Sequence, residues 1–75
     1  MDNFSIIYKI LKALEKALDY EEFDKEIISH EKYGISYRRW ERIMIMLAKE
    51  GYIDNTINPI ITLKGLEYLE RNASN

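Results

Sequence analysis

The sequence predicts a small α+β domain, mainly helical, with three to four helices and a short two- or three-stranded sheet, residues 1–75 forming a single domain. Three observations carry that prediction. Apolar residues recur at three- and four-residue steps over 4–18 and again over 37–50, the signature of amphipathic helices. Glycines stand at 34 and 51, where helical segments should stop. Between 52 and 61, two short apolar stretches flank the polar run DNTIN, the pattern of a hairpin. A chain of 75 residues buries only about 60% of its unfolded surface, so the core is small and self-association would help.

From Phe4 to Leu18, the residues Ile7, Ile10, Leu11, Leu14, Ala17 and Leu18 form one stripe, with Lys9, Lys12 and Lys16 opposite and Asp2 or Asn3 as the cap. The acidic run DYEEFDKE, residues 19–26, reads as a loop with Tyr20 and Phe23 tucked beneath it. Ile27 and Ile28 are adjacent β-branched residues and predict a brief strand. Ser29 can cap a very short helix over 30–33 that ends on Gly34. Ser36 caps the next helix, Tyr37 to about Glu50, which stops at Gly51. Tyr52 and Ile53 read as a strand, 54–58 as a turn, and Pro59 to Ile61 as the returning strand with proline at its first position. Thr62 caps a last helix through about Asn72, with Leu63, Leu66 and Leu69 on its apolar side, and the tail ASN frays.

Composition narrows the function classes. With 47% hydrophobic and 32% charged residues, 3 Gly and 1 Pro, the chain is a folded domain and not a disordered tail. The absence of cysteine removes disulfides, thiolate zinc sites and cysteine nucleophiles together. No apolar run approaches about 18 residues and MDNFS lacks a basic region leading into an apolar core, so neither a membrane span nor a secretory leader is expected, and a cytoplasmic location is. The net charge is −2, but its distribution is uneven. Residues 1–31 hold four lysines against eight acids, 32–49 hold five basic residues against Glu41 alone, and 50–75 hold two against four. All the positive excess therefore lies in one segment.

The element order matches a winged helix-turn-helix, in which the predicted sheet is the wing. YGIS at 33–36 resembles the turn of such a motif, LAKEGYI at 47–53 the exit from a recognition helix, and ITLKGLEYLE at 61–70 the helix start common after the wing. Through IIYKILKALE at 6–15 and ITLKGLEYLE, nearly the whole chain resembles the YjcQ family of small winged-helix proteins found in bacterial and phage genomes. That resemblance implies a fold and little about activity. A short helix, a turn tolerant of unusual backbone conformation and an outward helix are what the motif demands, and Gly34 with Ser36 answers to this.

Advancing about 100° per residue places Trp40, Ile43, Met44 and Leu47 on one face of the 37–50 helix. Arg38, Arg42, Ile45 and Lys49 gather on the opposite face with Glu41 at its edge, and Arg39 and Met46 lie on a flank. In the resembled fold this outward face meets the major groove. Arginine there can grip guanine or a phosphate, Ile45 can lie against a thymine methyl and Tyr37 stands in reach of phosphate, so the expected DNA-binding residues are Ser36, Tyr37, Arg38, Arg39, Arg42, Ile45 and Lys49. The expected partner is double-stranded DNA, bound weakly by a monomer, since the turn 54–58 carries no Arg or Lys and the total charge is negative. Dimerisation, through helix 4–18 with Phe4, Ile6 and Tyr8, would double the contacts.

The opposed expectation is a non-catalytic protein-interaction module, binding a host or phage regulator through Ile45, Met46 and Ile57 with arginine at the border. A merely solvated arginine face is the plainer alternative, with Glu41 neutralising part of it within the helix. Other residues carry less. His30 is alone and reads as a surface residue, so no metal is expected there. Glu21, Glu22, Asp24 and Glu26 lack the spacing and glycine of a calcium loop. Gly65 reads as close packing against a neighbouring helix. No nucleophile motif appears, so neither catalysis nor a cofactor is expected.

Overall fold

A computed structural model describes residues 2–22 and 24–73. It contains three α-helices, α1 (Asn3–Ala17), α2 (Tyr37–Lys49) and α3 (Leu63–Asn72), with single 3-10 turns at Lys25–Ile28 and Glu31–Tyr33 between α1 and α2. Each α-helix begins on an extended residue whose side chain accepts an orphan N–H. Asp2 accepts from Ser5 at 2.8 Å, Ser36 from Arg39 at 3.1 Å and Thr62 from Gly65 at 3.1 Å. These bonds satisfy donors that the helix itself leaves unpaired.

The apolar stripes then meet in one core. Ile6, Ile10, Leu11 and Leu14 of α1 pack with Ile43, Met44 and Leu47 of α2, and with Ile28, Tyr33, Ile53, Ile61 and Leu69. The stripe of α1 is rotated from the expected one. Ile6 lies wholly in the core, whereas Leu18 is exposed and Ile7 and Ala17 are only partly covered. Leu63, expected on the apolar side of α3, also faces solvent, and Tyr68 instead packs against Tyr52 with ring centroids 5.2 Å apart.

The expected wing sheet does not form, and with it falls the expected α+β, winged architecture: the domain is mainly helical. Among the described residues there is no strand, only an isolated antiparallel bridge between Ile53 and Ile61. It is flanked by Asp54 N–H to the Ile60 carbonyl at 2.9 Å and Thr62 N–H to the Tyr52 carbonyl at 3.2 Å. Local bonds prevent the ladder from growing. The Asn55 carboxamide oxygen takes the N–H groups of Ile57 and Asn58 at 3.0 and 2.7 Å, and Pro59 has no N–H to give.

Ile27 and Ile28 likewise form a 3-10 turn and not a strand. Asp24 caps it by accepting the Glu26 N–H at 3.0 Å, and β propensity does not prevail where no partner strand is in reach. The second turn is shorter than the helix expected over 30–33. The Ser29 hydroxyl oxygen accepts the Lys32 N–H, and Gly34 adopts φ 65° and ψ 32°, a left-handed conformation that side chains with a Cβ disfavour. In the acidic loop Tyr20 projects into solvent and is not tucked beneath it. Phe23, expected there, and the last two residues of the ASN tail lie outside the described residues.

Thr62 joins the end of α2 to the start of α3: its hydroxyl donates to the Gly51 carbonyl while accepting from Gly65. Gly65 packs closely, though against the 52–61 segment and not a helix. A Cβ there would collide with the Tyr52 carbonyl oxygen and lie 2.7 Å from Ile61 Cγ1. Gly65→Ala is therefore expected to lower stability by about 2 kcal/mol in chemical denaturation, and an unchanged midpoint would count against this junction.

Tyr33 supplies a second test. Its phenol is driven above the ordinary range by burial and donates to the Ile27 carbonyl at 3.0 Å. A group whose folded pKa is raised contributes stability that is complete below its unfolded pKa, about 10, and is lost as pH rises through the folded value. Tyr33→Phe is expected to cost about 1 kcal/mol at neutral pH and to flatten the alkaline fall in stability above about pH 10, read by denaturation at several pH values.

Candidate nucleic-acid interface

Two aromatic side chains set the roll of α2 about its axis. The Trp40 indole N–H donates to the Ile28 carbonyl, and the Tyr37 ring lies 5.6 Å from that of Trp40 and 5.7 Å from that of His30, which it meets in a T-shaped contact. His30 is itself held, its Nδ1 lying 3.0 Å from the Ile35 carbonyl oxygen and donating to it. It is a half-buried strut of the turn and not the surface residue expected. With Trp40, Ile43, Met44 and Leu47 turned inward, Arg38, Arg42, Ile45 and Lys49 face solvent.

Arg38, Arg42 and Lys49 form no ion pair or side-chain hydrogen bond among the described residues. Glu41, expected to neutralise part of the face, pairs with none of them. The face thus keeps its positive charge. Ile45 is 52% exposed between these cations and Met46 is 47% exposed on the flank. Both are large apolar side chains without cover.

The other expected site residues are partly engaged. Arg39 donates from Nε and a terminal nitrogen to the Asn3 carboxamide oxygen at 3.2 and 2.6 Å, tying α2 to the start of α1. Ser36 accepts its helix-capping bond but retains its hydroxyl proton. Tyr37 is half exposed beside them.

Lys64, not singled out from the sequence, sits with its ammonium 5.4 Å from the centre of the Tyr52 ring. Its stem approaches Gly51, so a further cation stands at the C-terminal end of α2. Only the fold brings it there; its position just inside α3 carries no signal of this. Ile57 is exposed as well, on the turn that lacks basic residues, and Ile6 is unavailable for pairing through α1 because it is core. Among the described residues no helix is long and apolar enough to cross a membrane.

Comparison with curated proteins and with solved structures gives no match. The family model described as "YjcQ protein" matches residues 8–75, most of the chain and all of the elements above except residues 3–7 of α1, and the chain belongs to the YjcQ family.

Proposed function

We propose that this chain is a non-catalytic DNA-binding regulator, cytoplasmic and of bacterial or phage origin, that lays the exposed face of α2 in the major groove. The observation that carries the reading is the set of three cations, Arg38, Arg42 and Lys49, unpaired among the described residues, on one exposed helix face within the chain's only net-positive segment. Arg38 and Arg42 lie one turn apart and suit a guanine edge or phosphate, and Ile45 suits a thymine methyl. Ser36 and Tyr37 at the start of α2 donate to the backbone, which fixes register without reading sequence.

Three phosphate contacts bind weakly. Releasing about three counterions makes affinity fall roughly fortyfold for a fourfold rise in salt, so a gel shift on random duplex is expected at low salt and is lost at high salt. Reversing both charges, Arg38→Glu with Arg42→Glu, is expected to abolish the shift and leave the thermal melt nearly unchanged, because neither side chain has a partner to lose among the described residues. Absence of any shift with the unaltered chain at low salt would end the DNA reading.

Exposure of Ile45 and Met46 favours a second reading, a protein-binding face rimmed by arginine. Ile45→Ser distinguishes the two because it removes the apolar contact and keeps the charge. A DNA face is expected to lose about fivefold in affinity with the salt dependence intact, whereas an apolar protein face is expected to lose capture of its partner from lysate. Capture retained by the variant would exclude this face as the protein contact.

A further inference from the structure

Along the lysine-bearing side of α1, a cleft of about 620 Å³ opens between that helix and Tyr20, Glu22, Asp24, Ile27, Lys32 and Tyr33. Its size falls in the range of sites that enclose small molecules, roughly 300 to 1,000 Å³. Lys9, Lys12 and Lys16, at i, i+3 and i+7 on α1, line one side, and Lys32 of the second 3-10 turn lines another. Ala13, Ala17 and Ile27 give it apolar surface, and Tyr8, Tyr20 and Tyr33 contribute rings.

The charge of the cleft is opposite in sign to that of the whole chain. Four lysines line it against Glu22 and Asp24, while the chain carries −2. Asp24 is engaged in capping the Glu26 N–H. Lys12 pairs with Glu15 at 3.0 Å, an exposed contact of little worth that a ligand can replace. Lys9, Lys16 and Lys32 have no ion pair or side-chain hydrogen bond among the described residues. Four cations against two carboxylates leave the cleft net positive, and an anion among the lysines relieves their mutual repulsion.

The rings decide the rest of the ligand. Tyr20 is 71% exposed at the cleft although its ring is large and apolar, and Tyr33 offers a nearly buried ring from the turn before Gly34. Flat aromatic bodies pack on such rings in offset or edge-on geometry, gaining more than buried area alone. We propose that this cleft binds a small organic anion with a flat aromatic body, its charged head among Lys9, Lys16 and Lys32 and its ring against the tyrosines. The site is separate from the exposed face of α2 and does not depend on the DNA reading.

The test is a backbone-amide NMR titration with anilinonaphthalene sulfonate, compared with N-phenylnaphthylamine, which has the same rings and no charge. Saturable shifts centred on Ala13, Ala17, Ile27 and Tyr33 are expected, with the neutral compound about tenfold weaker. Lys9→Gln with Lys32→Gln is expected to weaken the sulfonate about tenfold with an unchanged melt, and Arg38→Glu with Arg42→Glu to leave it unchanged. Tyr20→Ala, at an exposed position, is expected to weaken both compounds. Shifts spread over the core, equal affinity for the neutral compound, or insensitivity to the lysine pair would each overturn the proposal.

Discussion

The hydrogen bond from the Trp40 indole to the Ile28 carbonyl fixes where the basic face of α2 points. A 3-10 turn of four residues leaves carbonyls unmatched near the core, and an unmet acceptor there costs about 1–3 kcal/mol. Two aromatic donors meet that demand, the Tyr33 phenol at Ile27 and the Trp40 indole at Ile28. Trp40 thereby anchors α2 to the segment that follows α1, and Arg39 anchors it again through Asn3. With the helix held at two points near its start, its roll is set, and the side chains of Arg38, Arg42 and Ile45 have one outward direction left. The first of these aromatic bonds, from Tyr33, also shapes the cleft, because Tyr33 and Ile27 both line it.

The helices were legible because their signals are local. Asp2, Ser36 and Thr62 cap within three residues of the N–H they accept, and the inward face of α2 follows from the 3.6-residue period alone. The sheet was not, because a strand is made by its partner. Ile27 and Ile28 have strand propensity and no strand to join, and the segment from Ile53 to Ile61 spends its donors on Asn55 and loses one at Pro59, leaving a single bridge. The misplaced stripe of α1 has a related cause. Ile6 and Ile7 both fit a helical period, and only the position of the neighbouring elements decides which is buried.

The candidate face shows the same division. The outward placement of Arg38, Arg42, Ile45 and Lys49 could be read from periodicity, but the engagement of Arg39 could not, since Asn3 lies 36 residues away in sequence. The lysines of α1 read only as the polar side of an amphipathic helix for the same reason: the other wall of the cleft comes from the two 3-10 turns, whose path no local pattern announced. The acidic excess of residues 1–31 also hid Lys9, Lys12 and Lys16, because a sum over sequence averages charges that the fold separates.

If α2 meets DNA as proposed, its geometry limits what one copy can read. From Arg38 to Ile45 the helix advances about 10 Å, which spans about three base pairs of duplex at about 3.4 Å each. Lys49 lies a further turn along, about 16 Å from Arg38, where a straight helix in a curving groove has moved toward the phosphates. Its contribution is therefore affinity without selectivity. A site of about three base pairs recurs throughout any genome, so base contacts from this strip cannot by themselves define an operator. The turn 54–58 has no cation with which to extend the contact, and Asp54 at its start would repel a phosphate. On the proposed DNA reading, selectivity would require a second α2 on the same duplex, which would double both the bases read and the counterions released, and a half-site spacing of about one helical turn would present both helices to the same side.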